Sequence, residues 1–415
     1  MISSKGRMFK ISLICHLAMI VAFLATASSA ALASTAASAN RKKLMNNYDF
    51  TKVVAYIESE LAKGTFPGAS LIVDHHGMVV FQQNWGTYCS PTRRDTPVDN
   101  NVSHMLYSVS KGISATVIVI AHQQGLIDYD APLYTYIPEY RGKWKDTCTI
   151  RHLLTHSAGI PNCALKAVDT PDAWENAVAV CCTYAVEWEP GSRTAYHATT
   201  GMLLVSEAVR RASGLPTWEA VCRKLLFDPL DAKSLTFIVP EQDVQVALTP
   251  QPAALSNPPK NPCDYCLLPG HPGGGCVGKV EDVLKVLRLN LNDGMYNGKR
   301  LIDEEEMQEM HRIQYEKQIA EAEAKGAAPT HEPWGLGWLV KHNLKNHWFG
   351  FGDLASPKAF GHAGISTVIT VAEPERDFAL VFLTTDVPKP PGTDPGIIRN
   401  KVTDMVTEAI IKSNR

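Results

Sequence analysis

Hydrophobic positions along the chain predict a series of amphipathic and buried helices. In residues 47–63, Val53, Val54, Ile57 and Leu61 recur at the spacing of one helix face. A run of apolar residues predicts a second helix over 110–124, which Gly125 ends. Further helices are predicted at residues 199–213, 281–292, 303–312 and 394–411.

Two pairs of β-rich runs lie near opposite ends of the chain. Residues 69–74 and 78–82 flank a turn at Gly77, and residues 367–372 and 378–384 flank a polar turn. This order predicts an α/β (α+β) fold, in which an antiparallel sheet of N- and C-terminal strands is flanked by helices. We expect an inserted, mostly helical subdomain over 126–274, and a sheet subdomain made of 40–125 and 275–415.

The N-terminus has the pattern of a secretory signal peptide. Lys5, Arg7 and Lys10 precede the apolar run 11–24, and small residues follow. We therefore predict a signal peptide over 1–39, cleavage between Ala30 and Asn40, and a secreted mature chain. An uncleaved membrane anchor is the alternative, because the stretch beyond residue 24 is rich in alanine.

Composition and charge narrow the class of partner. The 415 residues carry 40 Lys and Arg against 42 Asp and Glu, so no basic excess favours nucleic acid or an anionic membrane. After the N-terminal segment no apolar run is long enough to span a bilayer. We expect a small-molecule partner and no stable membrane span in the mature chain; the oligomeric state is left open.

Secretion into an oxidising compartment would change how the cysteines are interpreted. Nine of the ten cysteines follow the N-terminal segment, and secretion would make most of them disulfide candidates whose pairing the sequence does not give. Cys263 and Cys266 have the spacing of a redox or zinc motif, but without a second ligand pair a structural disulfide is favoured. Asn101 begins an Asn-Val-Ser tripeptide, which makes it a candidate for glycosylation.

A Ser-x-x-Lys tetrapeptide supplies the first candidate for chemistry. Ser108 and Lys111 open the apolar helix, and residues three apart share a helix face. Burial would depress the lysine pKa and allow the amine to take the serine proton. The alternative is structural, with Ser108 as a helix cap and Lys111 as a solvated lysine.

Three further segments follow in order along the chain. They are Leu-Leu-Thr-His-Ser-Ala-Gly at 153–159, Tyr-His-Ala at 196–198 and His-Ala-Gly at 362–364. Gly-Gly-Gly at 273–275 and Gly-Leu-Gly-Trp at 335–338 accompany them. Together with Ser-x-x-Lys, this order resembles the serine β-lactamase and penicillin-binding-protein superfamily, above all class C β-lactamases and family VIII esterases. The resemblance extends over residues 45–412 and implies the β-lactamase/transpeptidase fold.

The resemblance implies roles for three catalytic residues. Ser108 matches the acylated nucleophile, and Lys111 matches its partner base. Tyr196 matches the tyrosine of the Tyr-x-Asn motif, which shares proton transfer with the lysine. The structural alternative for Tyr196 is a core aromatic residue.

A second group of residues matches the substrate-binding edge of the site. His362, Ala363 and Gly364 stand where the family has Lys-Thr-Gly, and esterase-like members also carry histidine there. The family's oxyanion hole uses the N–H of the serine and the N–H after that triplet, which here belong to Ser108 and Ile365. His362 could instead be a surface turn residue.

Two departures from the family pattern favour esters over β-lactams. Ala198 replaces the asparagine whose amide orients a β-lactam substrate. His362 replaces a lysine, so a permanent positive charge is missing where a drug carboxylate would lie. His197, beside Tyr196, either tunes that tyrosine or simply packs.

The sequence thus predicts a secreted, esterase-like serine hydrolase that forms an acyl-enzyme on Ser108. The resemblance implies neither a metal nor an organic cofactor. An acyltransferase or transesterase, a D-aminopeptidase or a β-lactamase could use the same residues, and an inactive binding protein could keep the fold. The identity of the ester or amide substrate stays open.

Overall fold

The computed structural model describes residues 47–88, 96–162, 170–238, 270–344, 349–365, 367–385 and 392–413, with the backbone of 244–245. Contacts divide the chain into a compact unit, Phe50–Ile411, and a second unit of Met1–Asp49 with Lys412–Arg415. The predicted signal peptide and most of the loop over 250–275 lie outside the described residues.

The described strands form one large sheet and two small ones. In chain order they are β1 (Gly68–His75), β2 (Met78–Gly86), β3 (Ser103–Met105), β4 (Val244–Gln245), β5 (Val277–Gly278), β6 (Met295–Tyr296), β7 (Lys299–Arg300), β8 (Leu339–Val340), β9 (Phe360–Ala363), β10 (Ile369–Glu373) and β11 (Phe378–Thr384). The large sheet has the strand order β2-β1-β11-β10-β9-β8. Every neighbouring pair in it is antiparallel.

This sheet confirms the predicted fold class, because strands from the two ends of the chain meet at its centre. Leu71 of β1 lies opposite Phe382 of β11, and Val73 lies opposite Leu380. Both strands are buried along their whole length, as expected for central strands covered on both faces. Their apolar side chains leave no water-facing side at the centre of the sheet.

The described part of the chain contains ten α-helices. They are α1 (Thr51–Ala62), α2 (Val109–Gln123), α3 (Ile150–Leu154), α4 (Pro171–Thr183), α5 (Thr200–Ser213), α6 (Trp218–Cys222), α7 (Val280–Leu291), α8 (Glu304–His311), α9 (Glu316–Ala324) and α10 (Pro395–Ser413). The helix α7 packs on β1, β10 and β11. None of the described helices is long and apolar enough to cross a membrane.

The helix α2 runs through the centre of the molecule and carries the Ser-x-x-Lys motif. Its residues from Val109 to Ala121 are all buried. A Cβ atom added to Gly112 would lie 2.3 Å from the ring of Trp338, so only glycine allows this close approach. The first turn of α2 is thereby fixed against the segment that leads into β8.

The predicted division into subdomains stays a prediction. The regular secondary structure described between residues 126 and 238 consists of helices separated by loops, and β4 follows at residues 244–245.

Four of the described cysteines form none of the expected disulfides. Cys148, Cys182, Cys222 and Cys276 form no disulfide. Four other cysteines of the predicted mature chain lie outside the described residues, namely Cys89, Cys163, Cys263 and Cys266.

Candidate active site

Ser108 stands immediately before α2, at the end of a strained turn. Tyr107 has a φ of +47°, a region that non-glycine residues rarely occupy. Ser108 itself has helical φ and ψ, and its side chain makes no capping hydrogen bond to the helix. The structural alternative, a serine that serves as helix cap, is therefore wrong.

Lys111 is buried completely and its amine reaches the serine. The Nζ atom lies 3.2 Å from Ser108 Oγ and donates to Gly273 O at 2.6 Å. No carboxylate of the described residues forms an ion pair with this lysine. Burial lowers the pKa of Lys111 to about 7, so near neutral pH a large fraction of the amine is free to accept a proton.

The triple-glycine segment brings a carbonyl close to the lysine. A Cβ atom on Gly273 would lie 3.2 Å from both His271 and Met202, which leaves no easy room for a side chain. The Gly273 N–H also donates to His271 Nδ1 at 3.0 Å. The segment thus holds the carbonyl oxygen that accepts from Lys111.

Tyr196 lies across the site from the lysine. Lys111 Nζ is 5.1 Å from the centre of the tyrosine ring. Desolvation of the hydroxyl raises the pKa of Tyr196, although its interaction with the Ser108 side chain acts in the opposite direction. The residue as a whole is 36% exposed, so Tyr196 lies where solvent reaches the otherwise buried site. A raised pKa keeps the hydroxyl protonated near neutral pH.

A further residue of the site, His156, was not predicted from the sequence, although it lies within the Leu-Leu-Thr-His-Ser-Ala-Gly segment at 153–159. This buried histidine has a φ of +56° at the end of α3. Its ring centre lies 4.8 Å from Tyr196 and 4.4 Å from Trp334, and its Nδ1 accepts the His197 N–H at 3.2 Å. Burial lowers the pKa of His156 well below its usual range. A neutral His156 therefore fixes the backbone that carries Tyr196.

His362 lies on β9, which pairs with β10 on one side and with the short edge strand β8 on the other. The ring centres of His362 and Tyr196 are 6.0 Å apart. Its Nδ1 lies 2.8 Å from Ala363 O, and its Nε2 has no hydrogen-bond partner among the described residues. Burial, with the nearby charge of Lys111, lowers the pKa of His362 to about 3. His362 is therefore neutral near pH 7 and buried, so the reading as a surface turn residue is wrong.

The end of β9 also brings the two predicted oxyanion donors near each other. A Cβ atom on Gly364 would lie 3.0 Å from Tyr107 Cβ and 3.3 Å from Leu106 O. Ile365 follows Gly364 in the chain, and Ser108 follows Tyr107, so both donors are one residue away from this contact. No backbone hydrogen bond to a described residue uses the N–H of Ser108 or Ile365, which leaves both donors available to a ligand.

Other residues singled out by the sequence take no direct part in this cluster. His197 is buried and stacks 6.1 Å from Trp188, which fits a packing role. The glycosylation candidate Asn101 is exposed, and its side-chain oxygen accepts from Lys279 Nζ at 3.2 Å. No group of three potential metal ligands occurs within the described ranges.

Comparison with known proteins assigns the family. The Beta-lactamase family model matches residues 53–402. The Mycobacterium tuberculosis protein named "Esterase/beta-lactamase LipL" is 33% identical over 140 residues, which cover 34% of this chain and 32% of that protein. The chain thus matches only about a third of the length of this relative.

Solved structures agree in fold. A family VIII carboxylesterase has a TM-score of 0.69 at 23% identity, covering 87% of this chain and 97% of its own. A penicillin-binding protein homolog from Caulobacter crescentus has a TM-score of 0.70 at 21% identity, with the same two coverages. The chain belongs to the Beta-lactamase family and has the serine-hydrolase fold of that family.

Proposed function

We propose that the protein hydrolyses carboxylic esters through a covalent acyl-enzyme on Ser108. The observation that carries this proposal is the buried amine of Lys111, 3.2 Å from the serine oxygen. A lysine with a pKa of about 7 and no ion-pair partner in the described chain is suited to act as a base rather than as a structural cation.

The reaction follows from the protonation states of the site. Neutral Lys111 takes the Ser108 proton, and the serine oxygen forms a bond with the ester carbonyl carbon. When the tetrahedral intermediate collapses, the carbon–oxygen bond to the alcohol breaks and the alcohol leaves with a proton from Lys111, relayed by the Tyr196 hydroxyl. Water then attacks the acyl carbon and loses a proton through Tyr196 to Lys111. The bond between that carbon and the serine oxygen breaks, Lys111 returns the proton to Ser108 Oγ, and the acid leaves. The N–H groups of Ser108 and Ile365 stabilise the negative oxygen in both steps.

Two side chains support an ester in preference to a β-lactam. Neutral His362 offers no positive charge to a substrate carboxylate, and Ala198 offers no hydrogen bond to a substrate amide. A simple ester requires neither contact.

A fluorophosphonate probe and substrate kinetics test the proposal. We expect the probe to label the wild-type protein and not Ser108→Ala, and a short-chain p-nitrophenyl ester to be the best substrate. Added alcohol would reveal acyltransferase or transesterase activity. Nitrocefin and D-amino-acid peptides test for a β-lactamase or D-aminopeptidase. Absence of labelling and of turnover would contradict the proposal and favour an inactive binding protein.

Secretion is a separate proposal, supported by the N-terminal pattern alone. Expression in a cell with a secretory pathway, followed by N-terminal sequencing, tests it. A new N-terminus between residues 30 and 40 is expected, and an intact Met1 on a membrane-bound protein would favour the uncleaved anchor.

A further inference from the structure

A buried arginine on the C-terminal helix touches the backbone of the site without reaching the reacting atoms. Arg399 of α10 is 1% exposed, and its Nη1 donates to Gly364 O at 3.0 Å. This carbonyl belongs to the same peptide group as the Ile365 N–H. One peptide group therefore has a cationic donor on its oxygen and a proposed oxyanion donor on its nitrogen.

The neighbouring contacts hold this peptide group in one orientation. The Gly364 N–H donates to Val368 O at 2.9 Å, which closes the turn after β9. A Cβ atom on Gly350 would lie 2.7 Å from Arg399 Cβ, so the backbone at Gly350 fits closely over the arginine. Thr403, one helical turn further along α10, donates to Gly350 O at 2.7 Å. The arginine and the peptide thus belong to one tightly packed unit.

We propose that Arg399 is a positioning residue that aims and strengthens the Ile365 N–H in the oxyanion hole. The inference rests on the proposed acyl-enzyme chemistry at Ser108. A charge-assisted hydrogen bond on the carbonyl fixes the plane of the peptide. It also polarises the peptide group, which makes the N–H on its other side a better donor.

Arg399 keeps its positive charge near neutral pH. Burial lowers the pKa of its guanidinium to about 10, which still leaves it protonated near neutrality. Its charge also contributes to the lowered pKa of His362, so its field extends to the substrate-binding edge. A positive charge beneath the oxyanion hole favours the negative oxygen that develops in the transition state.

The test compares Arg399→Met and Arg399→Lys with a matched control. Arg288→Met removes another largely buried arginine, whose side chain pairs with Asp74 and Asp377 instead of with Gly364. Each variant is assayed on a p-nitrophenyl ester and on the corresponding thionoester, whose sulfur accepts hydrogen bonds poorly. The ratio of the two kcat/KM values reports the oxyanion hole directly, and a purely structural role would not change it.

Loss of one oxyanion donor lowers kcat about 100- to 1000-fold, so a misaligned donor should lower it about 10- to 100-fold. We expect this fall for Arg399→Met, with KM changed less than about threefold, and an oxo-to-thiono ratio reduced at least about fivefold. Arg399→Lys, which keeps a cationic donor, should recover part of both values. Arg288→Met should keep the wild-type ratio.

If the wild-type enzyme is active and a folded Arg399→Met variant keeps the wild-type kcat and oxo-to-thiono ratio, the inference about Arg399 is overturned. The proposed function would stand in that case. A reduced ratio in Arg288→Met would also overturn the inference. If Arg399→Met does not fold, the ratio should fall in the order wild type, Arg399→Lys, Arg399→Gln, and equal ratios would contradict the inference. A wild-type protein that neither labels nor hydrolyses the esters refutes the proposed function instead.

Discussion

Replacing the buried lysine should inactivate the enzyme and stabilise the fold at the same time. Lys111→Met removes the proposed base, and we expect kcat/KM for a p-nitrophenyl ester to fall about 100- to 10,000-fold. The same change removes an ammonium group from a fully buried position. Methionine has a similar length and needs no hydrogen bonds, so it suits the apolar surroundings of α2.

The size of the stabilisation follows from the pKa. A fall from 10.5 to about 7 corresponds to about 5 kcal/mol, at about 1.4 kcal/mol for each pKa unit. Leaving Gly273 O without its donor opposes this by about 1–3 kcal/mol. The net gain below pH 7 is about 2–4 kcal/mol. With an unfolding entropy of about 2.1 cal/mol/K for each residue, a unit of roughly 360 residues should gain about 3–5 °C in Tm.

The stability gained by Lys111→Met should depend on pH, because Lys111 has different pKa values in the folded and the unfolded chain. Below pH 7 Lys111 is protonated in both the folded and the unfolded chain, and the full cost of the buried charge is present. Between pH 7 and 10.5 the folded lysine is neutral while the unfolded lysine still binds a proton, so stability of the wild-type protein rises with pH. The advantage of Lys111→Met should therefore disappear over that range.

Calorimetry of both proteins between pH 6 and 9.5, where each stays folded, measures this difference. Lys145→Met serves as the control, because that lysine also donates to a backbone carbonyl, Cys182 O at 2.6 Å, but lies outside the site. The control should keep activity within about twofold of the wild type. A Lys111→Met variant that is less stable than the wild type at pH 6, or whose difference does not vary with pH, would refute the desolvated-amine account.

Four further outcomes are expected. Ser108→Ala should abolish ester hydrolysis and change Tm by less than about 2 °C, because the serine caps nothing; circular dichroism with the ester assay checks both. Tyr196→Phe should lower kcat by about 100-fold with little change in KM, as measured by steady-state kinetics. The wild-type kcat/KM should rise with pH to a plateau above about 7, where Lys111 is neutral, and a flat profile between pH 5 and 8 would contradict this. Because Ala198 and His362 lack the amide and the cation, kcat/KM should be lower for nitrocefin than for a short-chain ester; a higher value for nitrocefin would contradict the preference.

Much of the fold could be predicted because its signals are local. The two hairpins appear in the sequence as short apolar runs around turns, and β1 with β2 and β10 with β11 form at those places. The order of these runs also predicted one sheet built from both ends of the chain, but not that β1 pairs directly with β11, since more than 300 residues separate the partners. That residues 126–274 form a subdomain of their own stays a prediction, because a hydropathy pattern does not report which helices pack together.

The candidate site was predictable where residues form a motif and not where the contact depends on packing. Ser108 and Lys111 share a helix face, so their approach follows from spacing alone. His156 lay within a recognised segment, but its contact with Tyr196 depends on how two loops meet. Arg399 gave no signal, because the carbonyl that it binds is 35 residues away and has no side chain to mark it.

The central claim is that Ser108 becomes acylated while Lys111 acts as its base. Intact-protein mass spectrometry after rapid mixing with a p-nitrophenyl ester at pH 5 and pH 8, followed by peptide mapping, measures this directly. The account predicts an acyl group on Ser108 that forms faster at pH 8, and no adduct on Ser108→Ala. An adduct on another residue, or ester turnover that persists in Ser108→Ala, would contradict it.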